Sequence, residues 1–126
     1  MDNATIAPKT AAAIDQDNPL GVDGFAFVEF TGPDPQAMIA RLELMGYTQT
    51  HVNPANGAVR LKQGDTSLIV HRTPRGQARQ FADDHGPSAN GMAFRAADAR
   101  AAYEGAVARG GRPAEGHDGG ALGGGY

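Results

Sequence analysis

The sequence predicts an α+β domain: one complete β-α-β-β-β unit, over about residues 24–73, and the β-α start of a second, over about 91–109. Three observations carry this. Phe30 matches Phe94, Asp34 matches Asp98, Ala37 matches Ala101 and Gly46 matches Gly110, each pair 64 positions apart. A repeat at fixed spacing speaks to architecture before any single motif does. Second, strand-like and helix-like segments alternate between sharp Gly, Pro and Asn punctuation. Third, sixteen residues follow Gly110, seven of them glycine, against three strand-like segments after Gly46. The second unit is expected to stay unfinished.

Residues 1–18 carry no apolar period and read as a flexible lead, with at most a transient helical turn around 11–14. Asn18-Pro19 opens the folded part, expected over 19–115, and 116–126 reads as a Gly-rich tail. Residues 25–31 are aromatic and branched and read as a strand, with Phe25, Phe27 and Glu29 on one face and Ala26, Val28 and Phe30 on the other. Asp34 then suits an N-cap with Pro35 at the first helical position. Met38, Ile39, Leu42 and Met45 recur at helical spacing, and Gly46 suits the position just beyond the helix.

Residues 47–52 alternate as a second strand, turned by Asn53-Pro54-Ala55-Asn56-Gly57 into a third over 58–63. Gly64-Asp65 turns that into a fourth, over 66–72. Residues 73–90 read as a polar loop holding a short helix within 77–84, anchored by Phe81. Residues 92–96 form the next strand, and Asp98 caps a helix running to about Ala108. Arg109 at its end suits the helix dipole.

The formal charge of −3 and pI near 5.7 give no basic field for nucleic acid or an anionic membrane. Zero cysteines remove disulfides, thiolate catalysis and Cys-based zinc. No apolar run approaches the roughly 20 residues that span a bilayer, and no basic leader precedes an apolar stretch. A soluble, cytoplasmic protein is the expectation. Much of the 40% apolar fraction is alanine, so the margin of burial over conformational entropy is expected to be thin.

A β-α-β-β-β unit used twice resembles the vicinal oxygen chelate superfamily (glyoxalase, bleomycin-resistance and dioxygenase proteins), in which two such modules curl into an open cup. Asn18-Pro19-Leu20-Gly21-Val22-Asp23-Gly24-Phe25, continuing through Phe27-Val28-Glu29-Phe30-Thr31-Gly32-Pro33-Asp34-Pro35, resembles the N-terminal domain of bacterial 4-hydroxyphenylpyruvate dioxygenases. Leu44-Met45-Gly46-Tyr47, Gln63-Gly64-Asp65, Phe81-Ala82-Asp83-Asp84-His85-Gly86-Pro87-Ser88 and Met92-Ala93-Phe94-Arg95 continue the series in order. The resemblance covers roughly residues 18–117. It implies a dioxygenase of tyrosine breakdown that makes homogentisate with Fe(II), held by two histidines and a carboxylate in a C-terminal domain. This chain would be the non-catalytic N-terminal part, with no cofactor of its own and that missing catalytic domain as partner.

Metal-binding members of the superfamily place a histidine on the first strand of each module, and the resemblance puts those positions at Phe27 and Gly91, with the fourth-strand carboxylate near Ile69. None of the three carries a ligand. The expectation is no catalytic and no metal residue. A slipped register offers Glu29 and His71 as a minor metal pair, each two residues along the same face. The competing reading pairs Glu29 with a basic residue or leaves it at a strand edge, with His71 ending its strand in solvent. His51 is expected to be exposed, His85 to serve a cap or turn, and His117 to lie in the tail. Asp83-Asp84 point different ways on a helix, Ser67 and Ser88 lack a nucleophile context, and Arg72, Arg75 and Arg79 read as a solvated run. A stand-alone binding protein of the same superfamily, completed by dimerising through open strand edges, is the alternative. A glyoxalase-type lyase or isomerase is disfavoured by Phe27 and Gly91.

Overall fold

The computed structural model describes residues 14–114. In chain order these form β1 (Val22–Thr31), α1 (Pro35–Leu44), β2 (Thr48–Val52), β3 (Val59–Gln63), β4 (Thr66–Val70), α2 (Gly76–His85), β5 (Ser88–Ala96) and α3 (Ala99–Ala108). The strands make one mixed sheet ordered β2-β3-β4-β1-β5. The β2–β3 and β3–β4 hairpins are antiparallel, whereas β4 lies parallel to β1 and β5 antiparallel to it. The expected β-α-β-β-β unit and the start of a second are therefore both present. Lead and tail lie largely outside the described residues.

The repeat is visible in the backbone. The Asp34 carboxylate accepts the Ala37 N–H and the Asp98 carboxylate accepts the Ala101 N–H, each at 3.0 Å. Gly46 and Gly110 end the two helices at φ +98° and +100°, where a side chain would be strained. Val28 and Met92 are both repeat mates and cross-strand partners, so a local two-fold axis passes between them. Phe27↔Ala93 and Glu29↔Gly91 exchange across that axis. So do two bulges: Ala26 is the extra residue of β1 between Phe25 and Phe27, and Asn90 the extra residue of β5 between Ala89 and Gly91.

Packing does not follow the symmetry. On one face of the sheet α1 buries Ile39 against Val59, Leu61 and Val70, with Phe30, Met38, Leu42 and Tyr47 partly buried around them. On the other face Phe27 packs on Ala58 and Ile69. The helix of the second unit, α3, buries no residue fully, and Tyr103, Val107, Met92 and Phe94 stay exposed. Among the described residues α3 and β5 have no counterparts of β3 and β4 to close over them.

Strands β2 and β3 start one residue late and β4 ends at Val70 rather than Arg72; three further differences from the sequence reading are larger. Strand β1 starts at Val22, through an Asp-Gly pair that locally reads as a turn, because Val22 finds Ala96 across the ladder. Strand β5 likewise starts at Ser88, which pairs with Thr31. The polar segment holds a ten-residue helix, α2, buried through Ala78 and Ala82 four positions apart; Phe81 is only half-buried and is not its anchor. The helix is also held by the buried Thr31, whose hydroxyl donates to the Ala78 carbonyl at 2.8 Å.

The two caps are testable. Asp34→Ala is expected to lower the unfolding free energy by about 1 kcal/mol, read from a urea midpoint, while Asp34→Asn keeps most of it. No loss on the alanine change would mean the Ala37 bond contributes nothing.

Candidate functional site

The sheet brings the two minor sequence candidates into contact. Glu29 lies mid-strand in β1 with Ile69 of β4 opposite, and His71 follows β4 two residues on, on the same face. The parallel ladder continues far enough to hold His71, whose N–H donates to the Phe30 carbonyl at 3.0 Å. Its Nε2 then meets Glu29 Oε2 at 3.0 Å, with the side chains only 14% and 20% exposed. The half of the competing reading that gave Glu29 a basic partner holds. The other half does not: β1 is flanked by β4 and β5, so Glu29 is at no edge, and His71 is turned into the sheet face rather than into solvent.

The β5 bulge adds a third group. As the extra residue of its strand, Asn90 is re-aimed out of the regular alternation, towards the carboxylate. Its Nδ2 lies 3.4 Å from Glu29 Oε2 and donates to Gln77 Oε1 in α2 at 3.0 Å. Gln77 Nε2 returns a bond to the Asn90 carbonyl at 2.9 Å. This pattern fixes the orientation of the Asn90 amide, since turning it over would set its oxygen against two other acceptors. Asn90 Oδ1 is left buried with no hydrogen-bond partner in the structure. An orphan acceptor of this kind costs about 1–3 kcal/mol. Glu29, His71, Asn90 and Gln77 thus tie β1, β4, β5 and α2 together around one carboxylate.

Asn90 escaped the sequence reading, which placed it in a loop. The signal available was its 64-residue match to Ala26, but a bulge is seen only once strands are paired.

The remaining candidates stay apart. Phe27, Gly91 and Ile69 occupy the sheet face without a donor side chain among them. No group of three or more His, Cys, Asp or Glu side chains converges among the described residues. His51 is exposed and, with Asn53, Pro54, Ala58 and Arg60, lines an open hollow of about 420 Å³ beside the β2–β3 turn. His85 ends α2 with its ring 4.5 Å from that of Phe81, a packing contact. Asp83 pairs with Arg79 at 2.9 Å along an exposed helix face, and Arg72 and Arg75 are exposed. Buried Ser67 accepts from Arg60 Nη2 at 3.1 Å, and the Ser88 hydroxyl donates to the Gly86 carbonyl at 3.0 Å; neither faces a base. His117 lies outside the described residues.

Comparison with known proteins places the fold. The family model for "Hydroxyphenylpyruvate dioxygenase, HPPD, N-terminal" matches residues 16–121. The chain belongs to this family. Among HPPD relatives, the 4-hydroxyphenylpyruvate dioxygenase of Pseudomonas aeruginosa is 41% identical over 91 residues, covering 70% of this chain and 26% of that protein. The 4-hydroxyphenylpyruvate dioxygenase of Pseudomonas sp. strain P.J. 874 is 37% identical over 97 residues, covering 77% and 27%. A solved xylose isomerase-like TIM barrel/4-hydroxyphenylpyruvate dioxygenase fusion protein superposes with a TM-score of 0.65 at 26% identity, over 92% of this chain and 18% of its own. The chain spans about a quarter of the length of the curated relatives it matches. Its sheet and helices are those of a glyoxalase-type module in an HPPD N-terminal domain.

No helix among the described residues is long and apolar enough to cross a membrane.

Proposed function

We propose that this chain acts as the non-catalytic N-terminal part of a cytoplasmic 4-hydroxyphenylpyruvate dioxygenase, and that oxidation of 4-hydroxyphenylpyruvate to homogentisate depends on a C-terminal catalytic domain outside these 126 residues. The observation that carries the reading is the match to the HPPD N-terminal family over residues 16–121. The iron of that reaction needs two imidazoles and a carboxylate, with positions left open for substrate and O₂. The described residues do not fit it: one imidazole and one carboxylate meet, at Glu29 and His71, and no third titratable ligand joins them. The part left to this chain is to present a folded surface to the catalytic domain. Purified chain supplied with Fe(II), ascorbate, 4-hydroxyphenylpyruvate and O₂ is expected to form no homogentisate above the protein-free control. Turnover in the ordinary range of roughly 1–10³ per second would overturn the reading.

Among the described residues β5 has an unpaired outer edge, which favours a second reading, a binding protein of the same superfamily completed by dimerisation. The local two-fold carries β4, on the outer side of β1, to an equivalent place on the outer side of β5. Met92 and Phe94, 60% and 55% exposed, face a place that a further strand would cover. Light scattering decides between the two. A sharp dimer with slow amide exchange in β1 and β5 supports the binding protein, and a monomer supports the dioxygenase part.

A further inference from the structure

We propose that Arg60, flanked by His51, binds the carboxylate of a small organic monoacid in the hollow beside the β2–β3 turn. The site rests on neither preceding reading, because every residue in it belongs to β2, β3, β4 or that turn.

The register of the sheet sets out the charges. His51 of β2, Arg60 of β3, Ile69 of β4 and Glu29 of β1 are successive cross-strand partners, so they stand side by side on one face. Charge along this row is unbalanced. Glu29 is taken by His71 at 3.0 Å, and the buried Ile69 separates it from Arg60. Among the described residues neither Arg60 nor Lys62, the next cation on that face, meets a carboxylate, and both are half-buried. A guanidinium drawn partly out of water without a counter-ion loses hydration that nothing returns, so the place favours an anion.

Geometry narrows the anion to a carboxylate. Arg60 Nη2 donates to the buried Ser67 Oγ at 3.1 Å, which holds the guanidinium against β4. Nη2 carries two hydrogens, one on each two-donor edge of the group, so whichever Ser67 takes, one edge keeps both donors. Two parallel N–H···O bonds along such an edge match the two oxygens of one carboxylate. Arg60 and His51 border the same hollow of about 420 Å³, which Pro54, Ala55 and Ala58 help to wall. The imidazole offers the anion a further N–H, and the apolar walls take the body of the ligand. One free fork suits one carboxylate rather than two. Lys62, cross-strand from Ser67, adds positive field from beside the hollow.

Titration of the isotope-labelled, full 126-residue chain with sodium benzoate at constant ionic strength tests the site. Saturable amide shifts centred on His51, Ala58 and Arg60 are expected, half-complete below about 10 mM. Benzamide, which keeps the ring and loses the charge, should bind at least tenfold more weakly. Sulfate, which keeps charge and loses the apolar body, should do the same. Arg60→Gln should weaken benzoate at least tenfold and Arg60→Lys severalfold, because lysine keeps the charge without the fork. His51→Asn should weaken it about two- to fivefold, and His85→Asn, away from the hollow, less than twofold. Absence of saturation, sulfate binding as tight as benzoate, or shifts centred on Arg75 and Arg79 would each overturn the proposal. The shift map and the benzamide and sulfate comparisons use the unaltered chain, so they decide the matter even where an Arg60 variant fails to fold.

Discussion

Leu61→Ala is expected to lower the unfolding free energy by about 2–5 kcal/mol and to leave little folded protein at 37 °C. Leu61 is fully buried in β3, beside Val59 and Val70 and beneath Ile39 of α1. This cluster is the part of the molecule in which a helix and three strands close on one another. Deleting the isobutyl group removes its transfer energy and leaves a cavity that a sheet cannot collapse to fill. Few other large side chains stand ready to compensate: the described core is completed largely by Ala58, Ala78 and Ala82. Urea unfolding followed by far-UV circular dichroism measures the effect. A loss below about 1 kcal/mol would show that α1 does not seal this face.

The second large effect is a contrast between repeat mates. Phe30 and Phe94 are equivalent in sequence, yet Phe30 packs on the α1 cluster while Phe94 is 55% exposed and stacks on Phe25 at 5.2 Å between ring centres. Phe30→Ala should cost about 2–3 kcal/mol, at or below the usual range for a phenylalanine truncation because Phe30 is not fully buried. Phe94→Ala should cost no more than about 1.5 kcal/mol, mostly the stacking contact with Phe25. Equal losses would mean that something covers β5 in solution. The comparison therefore also reports on whether a strand, a second copy or a further domain occupies that edge.

Much of the first unit was legible because its signals are local. Asp34 with Pro35 starts a helix, Gly46 ends it, and Asn53-Pro54-Ala55-Asn56-Gly57 and Gly64-Asp65 can only turn the chain. From Phe27 onward the faces of the first strand were legible for the same reason, and they put Phe30 and Phe27 on opposite sides, as packed. Phe25, expected beside Phe27, is instead turned to the Phe30 side, because the Ala26 bulge seats it opposite Phe94. The α2 segment was less legible, since its buried residues are two alanines that no hydrophobicity pattern distinguishes from surface. The site was half legible. Alternation put Glu29 and His71 each on a face shared with a superfamily ligand position, but gave no register between β1 and β4, and a shift of one residue would have turned them to opposite sides.

What the chain determines unaided is its inventory: where helices begin and stop, where hairpins turn, and that one unit is begun twice. These follow from dihedral preferences and capping bonds made within a few residues. What only the folded sheet decides is which of those parts touch. The parallel seating of β4 on β1 brings an imidazole to a carboxylate across 42 positions of chain. The unmatched residue of β5 brings an amide N–H to the same carboxylate and leaves its oxygen without a partner, and among the described residues α3 has no floor. Each depends on pairing between distant segments, and the energy of that pairing appears only when both strands are in place.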